Sequence, residues 1–90
     1  MKHFAYMLRC DDHTIYSGYT NNLSNRIAAH NSGKGAKYTS ARLPVRLIYY
    51  EEFNTKSEAM KREAQFKKLS RAEKEKLVSS FNSHLLNIDL

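Results

Sequence analysis

The chain has a single cysteine, Cys10, among its 90 residues. No intrachain disulfide can form, and the histidines (His3, His13, His30 and His84) do not stand at the close Cys/His spacings of a zinc site. Cys10 reads as a small core residue. Long apolar runs are missing as well. No stretch approaches the roughly twenty apolar residues of a membrane helix, and Met1–Tyr6 carries no apolar leader region. The expectation is a cytoplasmic protein with no membrane partner. Internal repeats and low-complexity tracts are absent, and 90 residues leave room for one small domain. A further absence is local. Between Arg26 and Arg46 there is no acid, while Arg26, Lys34, Lys37, Arg42 and Arg46 contribute five of the net +6 charges. Such a stretch suits a phosphate-facing surface better than an ion-paired helix face. The whole chain, with 15 Lys+Arg against 9 Asp+Glu, points the same way, to a polyanionic partner.

What is present reads as an α+β domain in the order β-β-α-β-α-α. Phe4, Tyr6, Leu8 and Cys10 alternate with Ala5, Met7 and Arg9, a strand period. Asp11-Asp12-His13 is a polar break, and Thr14–Thr20 resumes as β-branched and aromatic residues around Gly18. A hairpin turning near Asp11 sets Tyr6 opposite Tyr16, on one side of the sheet with Gly18. Asn21 or Asn22 caps a helix that buries Leu23 and Ile27 and stops at Gly33. Arg26 and His30, four apart, share a face of it. Ser32–Pro44 is expected as a loop, and Val45–Phe53 as a central strand buried on both faces. Thr55–Glu58 and Ser70–Glu73 have capping-box spacing and open helices to about Leu69 and Phe81. The segment Asn82–Leu90, with Leu85, Leu86, Ile88 and Leu90, is an apolar tail that docks on the body or on a protein partner.

Tyr6, Tyr16, Arg26, His30 and Glu63 are the candidates for chemistry. Each has an ordinary reading: a half-buried strand tyrosine, a solvated arginine, a histidine at a helix C-terminus, a glutamate paired with Lys67 one turn on. Together they suit phosphodiester hydrolysis, which needs an activated water, positive charge on the phosphoryl oxygens and help for the leaving oxygen. Arginine can grip a phosphate with two bonds. Glu63 falls within the apolar stripe Ala59, Met60 and Phe66, where a carboxylate is costly unless paired or metal-bound. One glutamate with waters is a common way to hold Mg²⁺ or Mn²⁺.

These residues carry a resemblance. Phe4-Ala-Tyr6, then Tyr16-Ser-Gly18, then Asn22-Leu23 with Arg26 and His30, resembles the GIY-YIG nuclease superfamily. The run Asn31–Thr39 and the segments Ala59–Glu63 and Lys67–Arg71 are closer to its small single-domain bacterial branch. That branch is itself similar to the catalytic subunit of eukaryotic structure-specific endonucleases. The resemblance implies a three-stranded antiparallel sheet flanked by helices over residues 1–81, with the tail at 82–90. It also implies hydrolysis of DNA with one Mg²⁺ or Mn²⁺ ion. By position, Tyr16 activates the water, Tyr6 places water or phosphate beside it, Arg26 stabilises the scissile phosphate, His30 assists proton transfer and Glu63 holds the metal. Tyr19 stands where some members carry a lysine, which throws more of the charge stabilisation onto Arg26. With Tyr19, the residues Lys34, Lys37, Arg42 and Arg46 are expected to meet DNA, gripping backbone rather than reading bases. The substrate is expected among branched, flapped or single-stranded DNAs of repair or recombination. The alternatives are a nucleic-acid-binding module without catalysis, in which Lys34, Lys37 and Arg42 matter and Glu63 does not, and an interaction protein acting through its tail.

Overall fold

The computed structural model describes the backbone of residues 2–89 and the side chains of residues 2–81. Its elements run β1 (His3–Arg9), β2 (Ile15–Thr20), α1 (Leu23–Asn31), α2 (Lys37–Ser40), β3 (Arg46–Phe53), α3 (Lys56–Lys68) and α4 (Arg71–Asp89). The three strands form one antiparallel sheet in the order β2-β1-β3. This is the expected α+β architecture of a small sheet with flanking helices. The expected protein-docking role of the apolar tail from Asn82 falls on side chains outside those described. Among the described residues, no helix is long and apolar enough to cross a membrane.

The central strand is β1, not β3 as the apolar run Leu47–Tyr50 suggests. Ala5, Tyr6, Met7 and Leu8 are all buried, whereas β3 lies at an edge with its side chains only partly covered. The alternating reading of β1 therefore understates it, because both of its faces are packed. On one face Tyr6, Leu8, Cys10 and Val45 pack with Tyr16, Leu23 and Ile27, which seats α1. On the other, Ala5 and Met7 pack with Phe66 of α3 and Val78 of α4. A bulge opposite Met7/Leu8 lets Leu47 serve the first face while Ile48 and Tyr49 serve the second.

The hairpin is registered two residues from the expected pairing. Tyr6 stands opposite Gly18, and Leu8 opposite Tyr16. A shift of two keeps every side chain on its face, so Tyr6, Tyr16 and Gly18 still share one side. The turn is made by Asp12, whose Oδ1 accepts from the Thr14 amide at 3.1 Å, with His13 at φ 70°. The helix boundaries follow their caps. Asn22 Oδ1 accepts from the Asn25 amide at 3.1 Å. Gly33, at φ +82°, ends α1 with its amide on His30 O and the Lys34 amide on Ala29 O. At α4 the capping box is reciprocal: the Glu73 amide donates to Ser70 Oγ, and the Ser70 amide to Glu73 Oε1. The segment expected as loop contains the short helix α2, which brings Thr39 inward to full burial.

Candidate active site

The strand-turn-helix unit Tyr16–His30 brings its polar side chains to the sheet face under α1. His30, near the end of α1, is fully buried. Its Nε2 lies 2.9 Å from the Tyr6 hydroxyl and its Nδ1 lies 2.8 Å from Thr39 Oγ1. The Thr39 hydroxyl donates to Ala36 O at 3.1 Å. Its one hydrogen is thus committed, so Nδ1 must be the donor to Thr39 and Nε2 the acceptor from Tyr6. The hydrogen bonds run in one direction, from Tyr6 through His30 and Thr39 to the carbonyl of Ala36. A neutral imidazole is what this chain requires. Burial, with the nearby charge of Arg26, pushes the His30 pKa below its ordinary value.

Tyr6 is buried, and its pKa is raised, first by burial. Arg26 beside it works against that shift, while Tyr16 and the carboxylate of Glu63 add to it. Of the other four candidates, His30 thus contacts the Tyr6 hydroxyl and the charges of Arg26, Tyr16 and Glu63 act on it. Tyr16 is half-buried at the rim, its ring edge-on to His30 at 5.3 Å between centroids. The Arg26 guanidinium donates Nη2–H to Gly35 O at 3.1 Å. With Thr20, Asn22 and Asn25 it lines an open cavity of about 260 Å³. Gly35 is pressed against His30: a Cβ there would stand 2.5 Å from its Cγ and 2.7 Å from its Cα. The loop before α2 therefore holds Arg26 and His30 together.

Glu63 comes from α3, and its side chain is 20% exposed. Its carboxylate faces Lys67 Nζ at 3.7 Å, a loose pair. Among the described residues there is no group of three or more His, Cys, Asp or Glu able to hold a metal. A single, partly exposed carboxylate suits a hard cation that keeps most of its waters, Mg²⁺ or Mn²⁺, and does not suit zinc.

The expected DNA-facing residues fare unequally. Lys34 and Lys37 are exposed on either side of Gly35, close to the cluster. Arg42 is not a free cation. Asp12, from the hairpin turn, accepts from its Nε at 3.0 Å, Tyr38 O accepts from its Nη1 at 2.8 Å, and its guanidinium lies 4.0 Å from the centre of the Tyr38 ring. The acid missing from its own segment arrives from earlier in the chain. Tyr19 lies on the opposite sheet face from Tyr6, paired with Ala5, its hydroxyl 2.9 Å from His3 Nδ1. Arg46 opens β3, on the edge away from Tyr16, and lines a separate cavity with Arg9, Cys10 and His13. Thr39, Gly35 and Tyr38 were not singled out from the sequence. Their only signal was membership of the run Asn31–Thr39.

Residues 2–76 match the model of the GIY-YIG catalytic domain. A UPF0213 protein of Staphylococcus haemolyticus, SH2523, is 53% identical over 77 residues, covering 86% of this chain and 94% of its own. The UPF0213 protein YazA of Bacillus subtilis is 56% identical over 73 residues, 81% of this chain and 74% of its own. Two solution NMR structures are also similar. The UPF0213 protein BH0048 of Bacillus halodurans shares 51% identity at a TM-score of 0.57, over 88% of this chain and 84% of that one. The protein EF2693 of E. faecalis shares 48% at 0.60, over 91% and 88%.

Proposed function

Because this chain belongs to the GIY-YIG catalytic-domain family, a family of nucleases, we propose that it is a divalent-metal-dependent endonuclease that hydrolyses DNA phosphodiesters. The observation that carries this reading is the buried Tyr6 hydroxyl, hydrogen-bonded to His30 and acted on by the charges of Arg26, Tyr16 and Glu63. Packing alone has no use for an arginine, a second tyrosine, a histidine and a carboxylate acting on one buried hydroxyl.

In this reading Arg26 binds the scissile phosphate. Gly35 O fixes one Nη, and the rest of the guanidinium fork is presented to the phosphoryl oxygens, where charge builds in the transition state. Tyr16, at the rim, lies beside the attacking water and, its own hydroxyl proton first passed to solvent, accepts the proton of that water on its oxygen. Tyr6 spends its own proton on His30 Nε2, so its oxygen is left as an acceptor, directed at Arg26 or at the water. His30 does not reach substrate; it is a positioning residue that fixes Tyr6. Glu63 would hold one Mg²⁺ or Mn²⁺ ion, which when bound supplies positive charge to the phosphate and the leaving oxygen. Lys34 and Lys37 take flanking backbone phosphates, so binding is steeply salt-dependent and weak in sequence preference. Contacts of this kind read DNA form rather than sequence, which favours branched, flapped or single-stranded substrates of repair or recombination.

The test is a panel of end-labelled flap, fork, junction, duplex and single-stranded DNAs with Mg²⁺ or Mn²⁺. The wild type is expected to cut at least one of them. Glu63→Ala and Arg26→Ala are expected to abolish cutting while still binding DNA. Equal cutting by both variants, or binding of every form with cutting of none by the wild type, would overturn the proposal; the second result leaves a nucleic-acid-binding module.

A further inference from the structure

Strand β2 is an edge of the sheet, and along it lies an open cavity of about 270 Å³ that none of the assignments above uses. Ile15, Tyr16, Ser17, Tyr38, Lys67 and Lys74 line it. Ser17 is only 5% exposed, yet among the described residues its Oγ has no hydrogen-bond partner. A buried hydroxyl normally finds one, and an orphan carries a free-energy cost. Packing does not call for this hydroxyl. Ser17 pairs with Met7, on the apolar face covered by α3 and α4, where alanine would serve as well. The two lysines come from different helices, Lys67 from α3 and Lys74 from α4, and meet at the same cavity. The rings of Tyr16 and Tyr38, stacked 6.0 Å apart at 24°, belong to its lining.

Ser17, whose hydroxyl lacks a partner, and two lysines line one open cavity, and together they make a site for an anionic oxygen. We infer that this cavity is a second phosphate subsite, which takes a backbone phosphate of the strand whose neighbouring phosphate is held by Arg26. Ser17 Oγ–H donates to a non-bridging oxygen, and Lys67 and Lys74 supply the charge. Tyr16 borders both this cavity and His30, so the subsite adjoins the proposed reaction centre. Two phosphate grips on either side of Tyr16 make the strand bend around it, which an unpaired strand does at less cost than a duplex. The inference rests on the reading of the chain as a nuclease and names the substrate class at that site as flexible, unpaired DNA.

The test measures binding, not cutting. Fluorescence anisotropy follows a labelled single-stranded oligodeoxynucleotide and the matching duplex without divalent metal, over a range of salt. The wild type is expected to prefer the single strand. In the double variant Lys67→Gln/Lys74→Gln, the slope of log affinity against log salt is expected to fall by about 0.7 for the single strand, the release expected for one phosphate contact. Ser17→Ala is expected to weaken single-strand binding about tenfold and leave the slope alone, since it removes a hydrogen bond to a charged group and no charge. A wild type that binds no DNA overturns both the nuclease reading and the subsite. A wild type that binds, with the double variant unchanged in slope, or with Ser17→Ala unchanged in affinity, overturns the subsite alone. Inorganic phosphate that competes as well as the oligonucleotide, at equal phosphate concentration, overturns its assignment to a strand.

Discussion

Tyr6 stands directly opposite Gly18 in the hairpin, and its ring fills the space that a side chain at position 18 would need. A Cβ built on Gly18 lies 2.5 Å from Tyr6 Cζ and meets the hydroxyl as well. The glycine is required by the tyrosine it faces, not by its own backbone angles. Tyr6 cannot yield, because its hydroxyl is tied to His30 and its ring is buried. Gly18→Ala is therefore expected to cost about 1–3 kcal/mol as an overpacked core position. That corresponds to a fall in Tm of about 4 °C or more, together with loss of DNA cutting. A thermal melt indistinguishable from the wild type would mean that Tyr6 moves aside freely.

The single direction of the Tyr6–His30–Thr39 chain predicts which imidazole nitrogen carries the proton. Long-range ¹H–¹⁵N NMR of the His30 ring is expected to show hydrogen on Nδ1 and a bare Nε2. Thr39→Val keeps the shape but strands that Nδ1–H in the core, at a cost of about 1–3 kcal/mol. Thr39→Ser keeps the hydroxyl and is expected to restore most of the loss. Tyr6→Phe combined with Thr39→Val should be non-additive by at least about 0.5 kcal/mol, because both act on one imidazole. Additive losses, or hydrogen on Nε2, would refute the chain as drawn.

The same imidazole sets a pH dependence. Its folded pKa lies below the ordinary 6.5, burial being the larger cause and Arg26 the second. The unfolded chain thus binds a proton more readily than the folded one. The stabilisation is complete above pH 6.5 and is lost as pH falls from there through the lowered folded value. Chemical denaturation between neutrality and mild acid should record a falling stability, and an NMR titration of His30 should give a midpoint below 6.5. A midpoint at or above that value would remove the basis for a neutral His30.

A second acid-side transition belongs to Glu75. Both of its oxygens accept from Arg9, at 2.7 and 3.0 Å, and Arg71 adds two bonds to Oε2, so α4 is clipped to the end of β1. The Arg9 bonds are the main cause that holds the Glu75 pKa at about 2, against the usual 4.5. The clip is thus fully present above pH 4.5 and is lost as pH falls through about 2. The Glu75 side chain is 37% exposed, and screening reduces the contribution to about 0.5–1 kcal/mol. Glu75→Gln should lower Tm at pH 7 and make no difference at the acid end. An equal loss at both pH values would assign the effect to packing.

Legibility in the sequence followed the range of the interaction. Elements set by local chemistry were readable: a cap at Asn21 or Asn22, the Thr55 and Ser70 caps, the Gly33 stop, the presence of three strands. The face shared by Tyr6 and Tyr16 was readable even with the register two residues out, since alternation survives an even shift. What depended on a distant partner was not. The run Leu47–Tyr50 looks more buried than Phe4–Cys10, but strand order decides burial, and β1 is central because both neighbours pair with it. Arg42 looked free because its acid, Asp12, is thirty residues away. Thr39 looked like a loop residue until α2 turned it onto His30.

Arg26 and Gly35 O supply the sharpest test of the proposed chemistry. The guanidinium can keep the carbonyl with one nitrogen and still offer a second donor pair to phosphate. A lysine at this position has a single ammonium group, which must choose between them. Arg26→Lys conserves the charge, so single-strand binding and its salt slope should change little. Single-turnover cutting should nonetheless fall about 10²–10³-fold, the usual cost of removing one oriented donor from a developing negative charge. If Arg26→Lys cuts at the wild-type rate, charge alone suffices at position 26 and the oriented fork has no role. If it loses binding and cutting together, Arg26 holds the strand and does not favour the transition state over it.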